Sequence, residues 1–383
     1  MKVSALKLWL SVCCLLAPVG VVQAEFRGAW ISTVHNLDWP SKGSTPAQQK
    51  AELERLLDSA KSLGLTDVFF QVRPEGDAFY RSSLEPWSRF LTGTQGKDPG
   101  YDPLEFCIAE AGKRGIRVHA WFNPYRAAVK AGSPMASNHM ARRYSPYAYK
   151  IGSVVCMDPG APEVQEHVVK VVTDVARRYG VAGIHFDDYF YPYPPSGGKV
   201  SFPDSKTYQR YRASGGKLDL ADWRRDNVNR LVARVSQQVK AVRPGIVFGV
   251  SPFGIYTKGQ PSTVKAGLDQ YNQIYADPLK WMRSGWVDYI APQLYWKDKS
   301  PQCFTELLKW WRNPSVNPCG VPVYPGIAAY RMSEQGWPAE EIVRQVALSR
   351  TVGSGPSGHV FFRIATIANN TKGISSMLKR AGY

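Results

Sequence analysis

Short runs of apolar, β-branched and aromatic residues alternate with longer amphipathic segments from residue 26 to the C-terminus. The short runs predict eight β-strands, at residues 26–32, 66–72, 117–122, 183–187, 246–251, 289–294, 321–327 and 359–362. The segments that follow them repeat apolar residues at helical spacing, at residues 47–63, 103–114, 162–179, 221–242, 270–284, 303–311, 338–350 and 364–381. Eight strands that are each followed by a helix predict an α/β chain folded as a (β/α)8 TIM barrel.

The alternative architecture is an open, doubly wound sheet. Such a sheet usually carries a glycine-rich phosphate turn after its first strand, and residues 30–35 contain no such turn. In a barrel, the active site is built from the loops that follow the strands. Three of these loops are long, at residues 73–101, 123–158 and 188–220, so we expect the functional site on that face.

The N-terminal segment is typical of a secretory signal peptide. Lys2 and Lys7 precede an apolar run that ends in Val22-Gln23-Ala24, the kind of small-residue site that signal peptidase cleaves. The run has about 15 residues, too few for the roughly 20 that span a bilayer, so we predict no transmembrane segment. We therefore expect a signal peptide at residues 1–24, a single barrel domain at residues 25–383, and a periplasmic or secreted protein; lipid anchoring through Cys13 is less favoured because Val12 is bulky.

Export would place four further cysteines in an oxidising compartment. Their spacing matches no zinc motif. Cys303 and Cys319 flank a Trp-rich helix and loop, which makes them candidates for a disulfide. Cys107 lies in a helical apolar pattern that is typical of a buried thiol.

The composition is that of a folded protein with a strong positive charge. Of the 383 residues, 44% are hydrophobic and 21% charged, which excludes disorder, and 33 Gly with 28 Pro predict long, shaped loops. The 48 Lys and Arg exceed the 31 Asp and Glu by 17, or by 15 after loss of residues 1–24. This charge suits an anionic envelope polymer better than nucleic acid, because the basic residues form only pairs and no nucleic-acid-binding motif accompanies them.

The fourth predicted strand ends in the pattern most typical of an active site. The sequence GIHFDDYFYPY, residues 183–193, passes from an apolar strand to two carboxylates and then to aromatic residues. Alternation along a strand places His185 and Asp187 on the same side, with Asp188 turned toward the loop. Asp187 is the first candidate for nucleophile or transition-state stabiliser, and Asp188 for an orienting or acid/base partner, with His185 and Tyr189 beside them. A loop cap or an ion pair with Arg is the structural alternative.

The second and third strands end in further polar side chains. Glu75 and Asp77 are candidates for the second carboxylate that glycoside hydrolysis normally requires, although Glu75 is equally a turn residue before Gly76. Arg73 is a candidate for binding an anion or for holding a carboxylate ionised. The third strand adds four expected substrate-binding residues, His119, Asn123, Tyr125 and Arg126; a single His such as His119 is more often a core residue.

Aromatic and amide side chains follow the remaining strands. Trp30, Gln293, Tyr295 and Trp296 are candidates for sugar binding, because aromatic faces stack on pyranose rings and amides bond to hydroxyls. Buried core aromatics are the competing interpretation. A metal-dependent hydrolase would use His35, His119 and His185 with Asp187 and Asp188, but the sequence lacks the paired His motifs that such sites need, so no metal or other cofactor is expected.

The chain resembles the glycosyl hydrolase-like family 10. The motifs that carry the resemblance are RGAW (27–30), LDWP (37–40), FQVRP (70–74), EPWS (85–88), PGYDPL (99–104), HAWFNPYR (119–126), DPG (158–160), FDDYF (186–190) and APQLYW (291–296). They span residues 26–365 in order. That family includes bacterial envelope glycosidases, among them a divisome-localised enzyme that acts on peptidoglycan strands stripped of stem peptides. The resemblance implies a (β/α)8 barrel, a glycan substrate, an envelope location and a catalytic centre at Asp187 and Asp188.

Two functions fit these observations. The first is an exported glycoside hydrolase of the bacterial cell wall, and the second is a non-catalytic glycan-binding barrel that uses the same cleft. Whether envelope or divisome partners exist, and whether the anomeric centre is retained or inverted, is open at this point.

Overall fold

A computed structural model describes residues 24–194 and 201–383, in which eight parallel strands form a barrel. The strands of the chain are β1 Phe26–Ile31, β2 Asp67–Arg73, β3 Arg117–Phe122, β4 Arg126–Ala128, β5 Ala148–Ile151, β6 Val154–Met157, β7 Gly183–Phe186, β8 Val247–Val250, β9 Tyr289–Ile290, β10 Gly326–Ile327 and β11 Gly358–Phe361. All except β4, β5 and β6 belong to the barrel, in the order β10-β11-β1-β2-β3-β7-β8-β9. The predicted (β/α)8 fold is confirmed.

Isolated hydrogen bonds between β9 and β10, the two strands at the ends of this order, close the barrel. The N–H of Tyr324 donates to the carbonyl of Ile290 at 2.9 Å, and the N–H of Gly326 donates to the carbonyl of Pro292 at 2.8 Å. β9 and β10 are shorter than predicted because Pro292, and Pro325 before β10, have no N–H to add to a regular ladder.

Helices cover the outside of the barrel. They are α1 Pro46–Ser62, α2 Arg89–Thr92, α3 Pro103–Lys113, α4 Met140–Arg143, α5 Pro162–Arg178, α6 Ser205–Ala213, α7 Leu220–Val242, α8 Gln270–Gln273, α9 Pro278–Arg283, α10 Phe304–Trp311, α11 Arg331–Glu334, α12 Ala339–Thr351, α13 Ile364–Ala368 and α14 Ile374–Arg380. All of them except α2, α4, α6 and α11 lie in predicted segments. Two predicted helices are each broken in two: before Pro278, and at Asn370, whose φ is 49°.

The core has two layers because barrel strands alternate their side chains. One set points outward and packs against the helices, as Ala29 and Ile31 of β1 do. The other set fills the barrel with large rings, chiefly Phe26, Trp30, Phe69, Trp121, Tyr289 and Tyr324. The interior is therefore a packed plug, and any ligand must bind above it, on the face that the loops form.

The long loop after β3 contains structure that the pattern did not predict. β4, β5 and β6 form a small antiparallel sheet in the order β4-β6-β5, and Met157 donates its N–H to the carbonyl of Tyr125 at 2.8 Å. This sheet is continuous with the end of β3 and raises one wall beside the barrel mouth. The loop after β7 contributes α6 in the same way.

The disulfide hypothesis for Cys303 and Cys319 is wrong in this structure, where both thiols are free. Cys303 precedes α10 and its sulfur lies 3.5 Å from Oδ1 of Asp298, whereas the sulfur of Cys319 lies 3.8 Å from the carbonyl of Arg283. Cys107 is buried and free, as its helical position predicts.

The predicted signal peptide lies outside the described residues, except for Ala24. Within residues 24–194 and 201–383, no helix is both long and apolar enough to cross a membrane.

The interior plug makes Gly249 of β8 a sensitive position. A methyl group at Gly249 would overlap the ring of Tyr289, which fills the barrel beside it. We expect Gly249→Ala to lower the free energy of unfolding by about 1–3 kcal/mol, the usual effect of overpacking a core. Urea denaturation followed by Trp fluorescence measures this. Gly245→Ala is the matched control, because a methyl group there meets no atom within 4 Å; equal stability of the two variants would contradict the tight plug.

Candidate active site

A cavity of about 540 Å³ opens at the face of the barrel where the strands end. Seven of the predicted site residues line it: Trp30, Arg126, Asp187, Asp188, Tyr189, Gln293 and Tyr295. The structure thus brings together residues from β1, from the segments after β3 and β7, and from the segment after β9. Their convergence at the carboxyl ends of the strands is the placement expected for a TIM-barrel active site.

The carboxylate of Asp187 is held by three N–H donors. The indole Nε1 of Trp121 donates to Oδ2 at 3.2 Å, the Nδ2 of Asn123 donates to the same oxygen, and the backbone N–H of Tyr189 donates to Oδ1 at 3.2 Å. Each of these donors is fixed by a strand end or by the backbone. Asp187 therefore presents a carboxylate of fixed orientation to the cavity.

Asp188 has a different environment. The hydroxyl of Tyr193 bonds to its Oδ2, and Gln293 also bonds to it. A phenol can both donate and accept a hydrogen bond, so Tyr193 can bond to Asp188 in its ionised and in its protonated form. The three N–H groups at Asp187 can only donate, which favours its ionised form.

Burial raises the pKa of both carboxyls. The pKa of Asp187 rises from 3.8 to about 7 through burial, with Arg126 opposing the shift and the charge of Asp188 adding to it. The pKa of Asp188 rises to about 6 through burial, against the hydrogen bonds from Tyr193 and Gln293. Such a pair shares one proton near neutral pH. We place that proton on Asp188, because protonation there removes the repulsion that raises the pKa of Asp187 and leaves Asp187 with its three donors.

Asn123 orients Asp187 and does not line the cavity. Its side chain is fully buried; its Oδ1 accepts hydrogen bonds from Nε2 of Gln71 at 2.6 Å and from Nη2 of Arg126 at 2.9 Å. Gln71 in turn accepts the backbone N–H groups of Thr33 and Val34, both at 2.9 Å. Asn123 was predicted to contact substrate directly, and the structure gives it a positioning role instead.

Arg126 is the one Lys or Arg side chain among the described residues that line the cavity. Its Nε donates to the carbonyl of Pro74 at 2.9 Å, and its guanidinium lies 4.8 Å from the ring centre of Tyr189. Tyr189 is 39% exposed, so its ring forms part of the rim. The predicted positions of both residues at the site agree with the structure.

Arg73, Glu75 and Asp77 lie beside the site, outside the cavity lining. Arg73 is fully buried and pairs with Glu85 through two hydrogen bonds of 2.8 and 2.5 Å, which corrects the prediction that it binds substrate. Although burial opposes ionisation of Glu85, Arg73 lowers its pKa to about 2. Arg73 therefore has the other predicted role, that of holding a carboxylate ionised.

Glu75 is 1% exposed, and Arg89 donates to its carboxylate at 2.8 Å. The backbone N–H of Val129 bonds to the same group. Burial and the neighbouring Asp77 raise the pKa of Glu75 to about 7. Asp77 is fully buried and accepts hydrogen bonds from Gln95 and from the backbone of Glu75. Both carboxylates thus bind neighbouring loop atoms.

His185 and His119 are core residues below the cavity, which corrects their predicted contact with substrate. Nε2 of His185 lies 3.2 Å from the indole nitrogen of Trp30 and 3.1 Å from the hydroxyl of Ser251, both of which belong to cavity-lining residues. Burial lowers the pKa of His185 well below its usual value, so it is neutral. His119 bonds to Asp67 at 2.9 Å, deeper in the barrel.

Tyr125 and Trp296 are also displaced from the main cavity. Tyr125 is fully buried, and it lines a second cavity of about 550 Å³ that shares Arg126, Tyr189 and Val154 with the first. Trp296 packs edge-on against Phe253, with 5.6 Å between the ring centres. Neither contacts the space above Asp187, so the sugar-binding prediction for them is corrected for the main cavity.

The metal hypothesis finds no site in the part of the chain that the structure describes. Within residues 24–194 and 201–383, no three or more His, Cys, Asp and Glu side chains are grouped to hold a metal ion. Of the three histidines proposed for it, His35 lines the cavity, whereas His119 and His185 lie in the core.

Eleven lining residues were not predicted from the sequence, among them Gln71, Trp121 and Ser251. The strand pattern did contain a signal for Trp121 and Gln71. Counting back by two from Asn123 gives Trp121, and Gln71 pairs with Trp121 across β2 and β3. Ser251 directly follows β8 and offers only a hydroxyl, so the strand pattern alone did not distinguish it.

A family model and two relatives match most of the chain. The family Glycosyl hydrolase-like 10 matches residues 25–340. Glycosyl hydrolase YngK of Bacillus subtilis is 40% identical over 371 residues, which cover 94% of this chain and 72% of YngK. Glycosyl hydrolase DigH of Escherichia coli K12 is 40% identical over 331 residues, which cover 80% of this chain and 74% of DigH.

Solved structures with low sequence identity share the fold. The glycoside hydrolase domain of PgaB from Bordetella bronchiseptica aligns with a TM-score of 0.60 at 15% identity, covering 93% of this chain and 98% of that domain. The catalytic domain of β-amylase from Paenibacillus polymyxa aligns with a TM-score of 0.61 at 11% identity, with the same two coverages. At these identities the likeness shows the barrel fold alone.

The raised pKa of Asp188 predicts a pH-dependent cost to stability. A carboxyl whose folded pKa exceeds its unfolded value stabilises the fold at low pH, and this stability is lost as the pH rises from about 4 to about 6. We expect Asp188→Asn, whose amide can still bond to the hydroxyl of Tyr193, to raise the free energy of unfolding at pH 8 by roughly 1–3 kcal/mol and to have little effect at pH 4. Urea denaturation at both pH values measures this. Glu105→Gln, at an exposed carboxyl on α3, is the control; an equal effect of Asp188→Asn at both pH values would contradict the shift.

Proposed function

The chain belongs to the Glycosyl hydrolase-like 10 family, and from that membership we propose that it is an exported glycoside hydrolase of bacterial cell-wall glycan. One observation carries the proposal: Asp187 and Asp188 stand together on the wall of a cavity at the carboxyl ends of the barrel strands. Burial raises the pKa of both, and such perturbed carboxyls in a cleft are typical of catalytic groups.

The two carboxyls have the complementary states that glycoside hydrolysis needs. Asp188 supplies the proton to the leaving oxygen, and Tyr193 can hydrogen-bond to it in its protonated and in its ionised form. Asp187, held by N–H donors, remains ionised and stabilises the positive charge that develops at the anomeric carbon. Gln71 and Asn123 fix its orientation through the end of β1.

The shape and lining of the site support a polymeric sugar as substrate. Trp30, Trp121, Tyr189 and Tyr295 offer aromatic faces for pyranose rings, and Gln293 offers an amide for hydroxyls. The second cavity continues past Tyr189 and Arg126, which gives room for more than one sugar along the groove. From the family resemblance, we propose peptidoglycan strands, including strands without stem peptides, as the glycan.

The proposed location in the cell envelope rests on the sequence. Residues 1–24 have the pattern of a signal peptide, and the remaining chain has 46 basic and 31 acidic side chains. This excess would hold the protein near anionic polymers of the envelope.

A digestion experiment tests the proposed activity. Purified protein is incubated with amidase-treated sacculi, and the soluble fragments are identified by mass spectrometry. We expect glycan fragments from the parent protein, and a decrease of at least about 100-fold in Asp188→Asn, because general acid catalysis contributes about 10²–10⁴-fold. Asp187→Asn should lose a comparable factor, whereas Glu105→Gln should retain the parental rate.

The same experiment separates the two classes of function. If the parent protein and Asp187→Asn both bind the strands and neither releases fragments, the chain is a non-catalytic glycan-binding barrel. Fragment release that EDTA abolishes would contradict a mechanism based on the two carboxylates alone.

A further inference from the structure

Both carboxylates of the cavity come from a single strand end. Residues 1–23 and 195–200 contain no Asp or Glu, so every acidic side chain of the protein lies in the part that the structure describes. Of these side chains, only those of Asp187 and Asp188 line the cavity. They are consecutive residues directly after β7, so both belong to the part of the lining that this one strand end supplies.

Hydrolysis by two carboxylates places them on opposite sides of the cleaved bond, so that one gives a proton while the other, or a water that it activates, attacks the anomeric carbon. Glu75 is the candidate for that second position. Its carboxylate binds Arg89 at 2.8 Å and the N–H of Val129, and only 1% of the residue is exposed. No carboxylate of the chain is thus free to attack from the wall opposite Asp187 and Asp188.

We propose that the substrate supplies the missing nucleophile, namely the carbonyl oxygen of a 2-acetamido group on the sugar whose bond is cleaved. This inference rests on the proposed glycosidase function and deepens it. It limits cleavage to the linkages of N-acetylated amino sugars, with Asp187 and Asp188 serving as orienting group and as acid/base.

The reaction balances with water as the only other reactant. The acetamido oxygen forms a bond to C1 while the glycosidic C1–O bond breaks, and the leaving oxygen keeps that electron pair and takes the proton of Asp188. The ring closed in this way is a cationic oxazolinium, and the carboxylate of Asp187 accepts a hydrogen bond from its N–H. Water then attacks C1, Asp188 takes back a proton, and the C1–O bond to the acetyl group breaks.

The surroundings of Asp187 suit this role. Trp121 and Asn123 fix its Oδ2, and the N–H of Tyr189 binds its Oδ1, so the carboxylate cannot rotate away from a substrate amide. Rigid charge placed where positive charge develops is the arrangement that lowers a barrier most.

The cavity also offers surfaces for the rest of an acetamido group. The ring of Tyr295 lines the cavity with both aspartates, and its hydroxyl has no hydrogen-bond partner among the described residues, so it can donate to the acetyl oxygen. Trp30, Trp121 and Phe362 form an apolar wall, against which the methyl group of the acetamido group would pack.

The test varies the nucleophilicity of the acetyl oxygen at nearly constant size. Synthetic tetrasaccharides of alternating glucosamine and muramic acid are prepared with N-acetyl, N-fluoroacetyl, N-difluoroacetyl and N-trifluoroacetyl groups. Because each fluorine withdraws electrons from the carbonyl oxygen, we expect kcat/KM to fall with every fluorine added and hydrolysis of the trifluoroacetyl compound to be lost. A rate that does not depend on the acyl group would overturn the inference while leaving the glycosidase function intact.

Two further measurements use the same N-acetyl compound. Two displacements at C1 give net retention, so proton NMR of the first product should show the β-anomer; an α-anomer would overturn the inference. Glu75→Gln, which keeps an acceptor for Val129, should hydrolyse the compound. A Glu75→Gln protein that unfolds at the parental urea concentration and yet loses hydrolysis would identify Glu75 as the second carboxylate. If the parent protein leaves the N-acetyl compound intact, the proposed glycosidase function fails instead.

Discussion

The buried carboxylate of Asp187 is the group on which the site depends. A buried charge is costly unless hydrogen bonds satisfy it, and here the three donors come from the ends of two neighbouring strands. Trp121 and Asn123 belong to β3 and its end, and the N–H of Tyr189 follows β7. Asn123 is tied through Gln71 to the segment after β1. The carboxylate thus fixes the relative positions of neighbouring strand ends, and a shift of any one of them would leave a buried charge less well bonded.

A series of hydrogen bonds between buried side chains lies directly below the floor of the cavity. An indole N–H can only donate, so Nε2 of His185 accepts from Trp30 and its Nδ1 carries the proton toward Tyr289, 3.0 Å away. The Tyr289 hydroxyl then lies 3.3 Å from His119, which bonds to Asp67. This series of hydrogen bonds runs the length of the barrel interior between large rings. It satisfies each buried polar atom in turn and so holds Trp30 at the cavity without any charge on His185.

The strand pattern predicted the fold because the barrel strands are largely buried on both faces and are rich in apolar residues. It also placed Asp187 and Asp188 at the mouth, since position at a strand end is a local property. The pattern could not separate Asn123, which bonds to Asp187, from Arg73, which bonds to Glu85 twelve residues on, because both are polar residues at strand ends. Only the folded geometry decides which polar group faces the cavity and which is consumed by an ion pair. The sheet of β4, β5 and β6 was missed because its strands have only three or four residues each, too few to show an alternation of polar and apolar positions.

The net charge of the protein has little to do with the chemistry of the cavity. Arg126 is the single Lys or Arg side chain among the described lining residues, and it faces two carboxyls that share a proton. The local balance is therefore close to neutral, although the chain beyond residue 24 carries 15 more basic than acidic side chains. Most of that excess must lie on the outer surface, where it is screened within about 8–10 Å at physiological salt. Under the proposed function, such a surface would act on the approach to an anionic polymer, whereas the selection of the bond to be cleaved would belong to Asp187, Asp188 and the aromatic walls.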